Sequence, residues 1–311
     1  MPAVVVTKEL RRSYNGYEAV RGVSLEVEQG EIFGLLGPNG AGKTTTLSMI
    51  STRIRPTQGD AWVYGKHVVR DVHAVRRLLN VAPQEEALYP TLTAQENLEF
   101  FARLYGIPAK ERPRLIAQAL EAIELAARKD ERVDTYSGGM RRRLNLGCAL
   151  VSGPRIVLLD EPTVGVDPQS RAHIFDAVRK LRSQGVTILY TTHYLEEAEE
   201  LCDRIAIMDE GRVIALGTLP ELLARSKSAQ VIEMRFAAPP RSTRALQNLD
   251  GVQRVEQIGN EVRLFTSNAQ GALPQLCQDG TLLDQPIVQL RVTPVTLESI
   301  FIELTGKALR D

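Results

Sequence analysis

Cysteine, net charge and long apolar runs are what this chain of 311 residues has little of. Its three cysteines, Cys148, Cys202 and Cys277, are far apart and form no CxxC pair, which argues against a disulfide framework and against a cysteine metal site. Lysine plus arginine and aspartate plus glutamate both total 38. Because a nucleic-acid-binding domain normally shows a basic excess, we expect no nucleic-acid partner.

The sequence also predicts no segment that would carry the chain into or across a membrane. No apolar stretch approaches the roughly 18 to 20 residues that a membrane-spanning helix needs. Residues 1–8 lack the basic-then-apolar layout of a signal peptide. We therefore expect reduced thiols in a cytosolic chain, whose membrane role, if it has one, comes through a partner. The length allows a large domain plus a small one, or two medium domains.

The most informative segment is a glycine-rich loop between a short apolar run and a helical pattern. Ile32–Leu36 predicts a buried parallel strand, and Thr45–Ile50 predicts the first turns of a helix. Between them the sequence is Gly37-Pro38-Asn39-Gly40-Ala41-Gly42-Lys43-Thr44. Glycines let backbone N–H groups close around a polyphosphate, which the positive end of the following helix also attracts. The alternative is a glycine-rich turn with an ordinary surface lysine. The strand and helix on either side favour a nucleoside triphosphate site, with Lys43 on the β- and γ-phosphates and the Thr44 hydroxyl on Mg²⁺.

Periodicity divides the rest of the chain into an α/β region and a small second domain. Residues 4–36 predict strands, residues 85–150 predict an inserted helical subdomain, and a strand–helix–strand unit follows from Arg155. One of the predicted helices covers Leu115–Ala127. After a boundary near 220–230, the predicted order is strand, helix, strand, strand, helix, strand, the ferredoxin-like split βαβ unit, with a final helix at Thr296–Leu304. We expect domains at 1–225 and 228–311.

Polar side chains follow three of the predicted strands at their carboxyl ends. Ile156–Leu159 leads into Asp160 and Glu161, Gln84 follows residues 81–83, and His193 follows the strand at 186–190. The carboxyl ends of parallel strands form the ligand edge of an α/β sheet. Asp160 is suited to hold Mg²⁺ through water, and Gln84 to sense Mg²⁺ or water. Glu161 is suited to orient or deprotonate an attacking water, and His193 to polarise the γ-phosphate or that water. Alternatively, the acidic pair caps a helix, His193 is structural and Gln84 is a plain loop residue.

A second glycine turn begins another helical run. In Tyr136-Ser137-Gly138-Gly139-Met140, Ser137 occupies the place of a helix N-cap and the glycines free the backbone to approach an anion. The alternative is a flexible turn. The next three residues, Arg141, Arg142 and Arg143, are more typical of a solvated helix face than of a binding patch.

Taken in order, these motifs resemble one family, the nucleotide-binding subunits of ATP-binding-cassette (ABC) transporters. The resemblance covers residues 1 to about 220 and rests on the loop at 37–44, Gln84, the signature at 136–140, Asp160-Glu161, the segment Gly165-Val166-Asp167-Pro168, and His193. It implies a P-loop NTPase (RecA-like) core with an antiparallel β subdomain and an inserted helical subdomain. It also implies Mg²⁺-dependent ATP hydrolysis, with Thr45 beside the phosphate loop in the ATP site.

The resemblance further implies a homodimer that sandwiches two ATP molecules. Tyr14 matches the aromatic residue that stacks on adenine. Ser137, Gly138 and Gly139 would hold the γ-phosphate of ATP on a second copy, and Asp167 would communicate across that interface. The chain departs from the commonest family pattern at Tyr136, Met140 and Val166, which stand in place of leucine, glutamine and leucine.

The signature with its arginine run, and the ending at 296–306, resemble the cassette subunits of drug, polysaccharide and sodium exporters. This implies separate membrane permease subunits, with Leu88–Thr93 in the groove that receives them, and a location on the cytoplasmic side of the cell membrane. Two alternatives stay open: an importer ATPase subunit, and a soluble cassette ATPase that acts on ribosomes or DNA. The soluble proteins usually carry two cassettes in one chain or long insertions, which are missing here.

Overall fold

The computed structural model describes residues 2–225, 230–278 and 285–305. Two units are separated between Thr218 and Leu219. Gly306, the last residue of the exporter-like ending, and the side chain of Cys277 lie outside the described part of the chain.

The first unit alternates strands and helices along the chain. Its strands are β1 (Ala3–Tyr14), β2 (Tyr17–Glu28), β3 (Ile32–Leu36), β4 (Gln58–Val63), β5 (Lys66–His67), β6 (Leu79–Ala82), β7 (Ile156–Asp160), β8 (Thr187–Thr192), β9 (Arg204–Asp209) and β10 (Arg212–Gly217). Its helices are α1 (Lys43–Ile50), α2 (Val72–Arg76), α3 (Ala94–Leu104), α4 (Arg112–Ala122), α5 (Gly138–Leu150), α6 (Pro168–Ser183) and α7 (Leu195–Leu201).

A six-stranded sheet positions the site. Its order is β10-β9-β3-β8-β7-β6, with β10 antiparallel and every other pair parallel. Strands β3 and β7 are buried along their whole length, as expected for parallel strands covered on both faces. The carboxyl ends of β3, β6, β7 and β8 therefore meet at one edge, as the sequence predicts.

A four-stranded antiparallel sheet, β2-β1-β4-β5, completes the strand content of the first unit. In β2, Val23, Leu25 and Val27 are buried while Ser24 and Glu26 are exposed. This alternation is that of a half-buried strand, and it agrees with the strands predicted over residues 4–36. The α/β class predicted from the sequence is likewise confirmed.

The helical insertion occupies α3, α4 and α5, between β6 and β7. Helix α3 begins with a capping box, in which Thr93 and Glu96 satisfy each other's backbone N–H groups. The helix predicted at Leu115–Ala127 is wrong in its bounds: α4 spans Arg112–Ala122. The chain turns at Glu124, whose φ of 55° is left-handed, and an apolar period cannot show such a reversal.

Arginine 142 contradicts the prediction that the arginine run is a solvated helix face. Arg142 is only 7% exposed, whereas Arg141 and Arg143 are partly exposed. Three backbone carbonyls accept hydrogen bonds from its guanidinium. A charge pattern read from the sequence cannot reveal such acceptors.

The second unit has the split βαβ order. It comprises α8 (Leu219–Leu223), β11 (Gln230–Phe236), α9 (Arg244–Gln247), β12 (Val252–Ile258), β13 (Glu261–Thr266), α10 (Ala269–Gln278), β14 (Ile287–Pro294) and α11 (Leu297–Thr305). The sheet order is β12-β13-β11-β14, all antiparallel, which is the strand arrangement of the ferredoxin-like fold. Just before α11, the Thr296 hydroxyl accepts from Ser299 N at 3.3 Å, as a helix cap does.

The thiol of Cys148 is enclosed by the helical side of the first unit. The residue is 3% exposed and belongs to the cluster that packs α5 against α3, α4 and β7. Burial raises the pKa of this thiol above its usual value, because the thiolate would lose its hydration.

Candidate active site

The loop at 37–44 is shaped by its glycines. Gly40 and Gly42 have φ values of 84° and 97°, in the left-handed region that glycine adopts at little cost. A Cβ on Gly37 would stand 2.2 Å from the Met208 carbonyl oxygen. These positions bring the backbone round from the end of β3 to the first turn of α1.

Lys43 lies inside the turn of this loop. Its ammonium donates to the carbonyl oxygens of Gly37 at 2.7 Å and Pro38 at 3.1 Å. It also lies 3.1 Å from Glu161 Oε1, and both side chains are almost fully buried. Since a buried charge needs a partner, this pair holds the two residues at the same point of the sheet edge.

Asp160 forms a cluster of oxygens beside the loop. Its Oδ1 accepts from the Thr44 hydroxyl at 3.0 Å and from the Thr191 hydroxyl at 2.7 Å. Mg²⁺ in phosphate-binding sites takes one or two carboxylates, a hydroxyl and phosphate oxygens. The donor set of Thr44 and Asp160 fits that requirement.

Glu161 is held in a strained backbone conformation. Its φ is 46°, which is uncommon for a residue with a side chain and costs about 1 to 3 kcal/mol. The Thr191 hydroxyl accepts from its N–H at 2.9 Å, and Gln84 Nε2 donates to its Oε2 at 3.3 Å. The conformation directs the carboxylate into the space between Lys43 and the Gln84 side chain.

His193 follows β8 directly and faces the same carboxylate. Its Nδ1 lies 3.4 Å from Glu161 Oε1. Within the described residues, this buried nitrogen has no hydrogen bond of acceptable geometry. Unpaired buried polar atoms are rare and concentrate where a ligand or a reaction uses them.

Glu197 links the segments that carry Glu161 and His193. This carboxylate is 1% exposed and accepts from the hydroxyls of Thr163 at 2.5 Å, Thr192 at 2.8 Å and Tyr190 at 3.0 Å. Thr163 follows Glu161 by two residues, and Thr192 precedes His193. Nothing in the sequence singles out Glu197, because it is one more glutamate in an acidic helix.

A cavity of about 310 Å³ opens above the loop. It is lined by Asn39–Thr45 together with Gln84, Glu161, Ala19 and Tyr17. Tyr17 is exposed and was missed by the sequence analysis. Tyr14, the residue expected to stack on adenine, is absent from this lining and is 41% exposed, with the Arg12 guanidinium 4.5 Å from its ring centre.

The glycine turn at 136–140 begins α5 as predicted. The Ser137 side chain caps the helix by accepting from Met140 N at 3.2 Å. Ser137 and Gly138 are exposed, whereas a Cβ on Gly139 would stand 1.9 Å from the Ser170 hydroxyl. No residue of this turn lines the cavity above the phosphate loop.

Asp167 caps the neighbouring helix α6. Its side chain accepts from Ser170 N at 2.9 Å, and hydrogen bonds from Ser170 lower the pKa of its carboxyl. Because Gly139 packs on Ser170, the Asp167 segment and the signature turn form one surface.

Comparison with known proteins shows the family to which the chain belongs. The family model described as "ABC transporter" matches residues 20–164. The linearmycin resistance ATP-binding protein LnrL of Bacillus subtilis (strain 168) is 38% identical over 98% of this chain and 99% of its own length. The chain belongs to the ABC transporter family. It is an ATP-binding subunit of that family and an ATPase.

Other relatives of this ABC subunit are similar over nearly the whole chain. The Nod factor export ATP-binding protein I of Ralstonia nicotianae (strain ATCC BAA-1114 / GMI1000) is 37% identical, over 99% of this chain and 95% of its own. The daunorubicin resistance ATP-binding protein DrrA3 of Streptomyces coeruleorubidus is 38% identical, over 95% and 93%.

Solved structures of ABC ATP-binding proteins share the fold. An ATP-binding subunit of an ABC transporter superposes with a TM-score of 0.65 at 30% identity, over 71% of this chain and 92% of that one. A dimeric ATP-binding cassette bound to ADP and Pi in a post-hydrolysis state gives 0.63 at 27% identity, over 69% and 98%. In the described part of this ABC subunit, no helix combines the length and apolarity required to cross a membrane.

Proposed function

We propose that this chain powers export through separate membrane permease subunits, and that it does so as a homodimer closed by ATP. The observation that carries the proposal is the similarity to ATP-binding proteins named for drug resistance and Nod factor export, which extends over both units. We place the subunit on the cytoplasmic side of the cell membrane, attached through the permease.

The phosphate loop would hold the triphosphate. Backbone N–H groups of residues 37–45 and the start of α1 would surround the β- and γ-phosphates, with Lys43 between them. Thr44 and Asp160, with Gln84 nearby, would hold Mg²⁺, which supplies charge neutralisation for the phosphate oxygens when it is bound. An aromatic ring would stack on adenine: Tyr14 by the family resemblance, or Tyr17 by its place in the cavity.

Glu161 would act as the base. Phosphate oxygens would give Lys43 a stronger partner than Glu161, and the freed carboxylate could then accept a proton from the attacking water. His193 Nδ1, which faces the Glu161 carboxylate and makes no hydrogen bond to any of the described residues, would orient that water or contact the γ-phosphate. Gln84 would position water or Mg²⁺ from the opposite side.

The signature turn would complete the site of a second copy. Ser137 and Gly138 are exposed at a helix start and lie outside the chain's own cavity. An exposed helix N-terminus with free backbone N–H groups binds anions. Two copies in opposite orientation would place this turn on the partner's γ-phosphate, with Asp167 at the same contact.

The permease would dock near Leu88–Thr93. Asn97 fixes this segment, because its side chain both accepts from Tyr89 N at 2.8 Å and donates to Tyr89 O at 3.1 Å. The rings of Tyr89 and Phe100 are partly exposed and meet edge to face at 4.7 Å. Aromatic rings of this kind are frequent at the centres of protein interfaces.

Co-purification with the permease tests the proposal. The chain and a six-helix permease encoded beside its gene would be co-expressed, and we expect the two to purify together and to hydrolyse ATP. Glu161→Gln should keep the complex and ATP binding but lose most of the turnover, whereas Glu196→Gln, an exposed neighbour of His193, should change neither. A cassette that never associates with the permease would contradict the transport role. Association with a permease that depends on an external binding protein would favour an importer.

A further inference from the structure

Arg142 belongs to α5, the helix that begins at the signature turn and is called the signature helix below. Its side chain contacts the segments that carry Gln84 and Glu161, although none of the motifs includes it. It occupies the second turn of α5, which begins with the exposed Gly138 and the buried Gly139. Its residue is 7% exposed, and burial lowers the pKa of its guanidinium, since the charge loses hydration. A long cationic side chain is buried in this way only where several acceptors surround it.

Three backbone carbonyls accept from this one side chain. Nη1 donates to the carbonyl of Gln84, Nη2 to that of Glu161 at 2.8 Å, and Nε to that of Pro162 at 2.9 Å. The planar guanidinium has rigidly arranged donors, so it fixes the relative position of the chain segments it joins. Here those segments carry Gln84 and Glu161, whose side chains also meet each other.

The bond to Glu161 acts where the backbone is strained. Glu161 has a φ of 46° and is held on both sides, through its N–H by the Thr191 hydroxyl and through its carbonyl by Arg142. A left-handed conformation of a residue with a side chain persists only when its surroundings enforce it. Without Arg142 the carbonyl side would lose this restraint.

We propose that Arg142 is a positioning residue, which ties the signature helix to the backbone of Glu161 and Gln84. This inference rests on the proposed function. When the signature turn meets the partner's ATP, a displacement of α5 is carried through the guanidinium to the residues that orient water in the chain's own site. Arg142 touches no substrate, and it acts through the placement of the Glu161 carboxylate.

Arg143 provides a matched control on the same helix. It is also partly buried, and its Nη1 donates to the carbonyls of Ile123 and Glu124 at 3.1 and 3.5 Å. Those carbonyls lie inside the helical insertion, away from Glu161 and Gln84. Truncating Arg143 therefore removes hydrogen bonds from the same helix to backbone carbonyls without releasing the catalytic segments.

The experiment compares Arg142→Met, Arg142→Lys and Arg143→Met in the purified full-length chain. Thermal unfolding would be recorded first, then kcat and KM for ATP, then affinity for a fluorescent ATP analogue. We expect Arg142→Met to lower kcat by about 10- to 100-fold with KM and analogue affinity within twofold of the unmodified chain. Arg142→Lys should recover part of kcat, because an ammonium can still donate to some of the carbonyls. Arg143→Met should keep kcat within about threefold.

Equal kcat values for the Arg142 and Arg143 variants would overturn the inference. If Arg142→Met does not fold, Arg142→Lys decides alone: a kcat equal to that of the unmodified chain would overturn it, and a reduced kcat at unchanged KM would support it. The Glu161→Gln variant is measured before the Arg142 variants. If it hydrolyses ATP as fast as the unmodified chain, the proposed function is overturned, and this inference with it.

Discussion

The phosphate loop and the signature turn are both glycine-rich starts of a helix, yet they have different surroundings. At the loop, Lys43 is 4% exposed and pairs with Glu161, and Asp160 and His193 stand close by on neighbouring strand ends. At the turn, Ser137 and Gly138 are exposed, and only Gly139 is packed. The phosphate-loop site is assembled within one chain, whereas the signature turn exposes its backbone N–H donors to solvent. A composite site shared by two copies would need both, because each copy would supply one half.

The largest expected effect comes from removing Lys43. Lys43→Ala deletes the buried ammonium that meets Glu161, so it should weaken ATP affinity by about 100-fold or more and abolish turnover. It should also lower the free energy of unfolding by about 3 to 5 kcal/mol, because the Glu161 charge stays buried without its partner. Equilibrium nucleotide binding and chemical denaturation measure the two effects. An unchanged affinity for ATP would contradict the assignment of the phosphate loop as the ATP site.

The two signature glycines separate packing from nucleotide contact. Gly139→Ala places a Cβ 1.9 Å from the Ser170 hydroxyl and should cost about 1 to 3 kcal/mol of stability. A Cβ on Gly138 meets only the end of the Arg141 side chain at 3.9 Å, so Gly138→Ala should fold as well as the unmodified chain. If Gly138 faces the ATP of a second copy, its variant should still lose turnover while a single chain binds ATP normally. Full turnover in Gly138→Ala would show that the turn does not approach a nucleotide.

Substitution of Glu197 tests how the segments that carry Glu161 and His193 are held in place. Glu197→Gln leaves three hydroxyl donors with a weaker acceptor, one of whose ends is now a donor. We expect a loss of about 1 to 3 kcal/mol in the free energy of unfolding and a smaller fall in kcat than Glu161→Gln gives. Glu196→Gln, on the exposed side of the same helix, is the control in both measurements. Equal stability of the two variants would contradict the network.

Tyr136→Phe tests whether the departure from the family pattern at this position is a packing feature. The Tyr136 hydroxyl donates to Arg128 O at 2.6 Å, and burial raises the pKa of this phenol. The variant should lose about 1 kcal/mol of stability and keep its turnover within twofold. A large fall in turnover at unchanged stability would place Tyr136 in the nucleotide contact instead.

The smallest expected effect concerns Asp167 and pH. Hydrogen bonds from Ser170 lower the pKa of this carboxyl, so its contribution to stability is present at neutral pH. It is lost as the pH falls through the lowered folded-state value. Asparagine can cap the helix but does not titrate. In Asp167→Asn, the unfolding midpoint should therefore fall less steeply at acid pH than it does in the unmodified chain. A curve parallel to that of the unmodified chain would contradict the assignment.

Sequence patterns predicted which residues the sheet brings together. Gly37–Thr44, Asp160, Glu161, Gln84 and His193 follow strands, and the parallel sheet brings them to one edge. They did not predict residues whose role depends on burial or on a distant acceptor. Arg142 and Glu197 resemble surface charges in the sequence, yet carbonyls and hydroxyls from distant segments surround them. The same limit applies to α4, whose end is set by the left-handed turn at Glu124.

The enclosed thiol of Cys148 makes the opening of α5 measurable without an introduced cysteine. It lies on α5 between the signature turn and β7, in its protonated and therefore unreactive form. An alkylating reagent can reach it only when α5 separates from its neighbours. The rate of its modification, followed by peptide mass spectrometry, therefore measures how often this helix opens, and a change in that rate on adding ATP would show that the nucleotide alters the opening of α5.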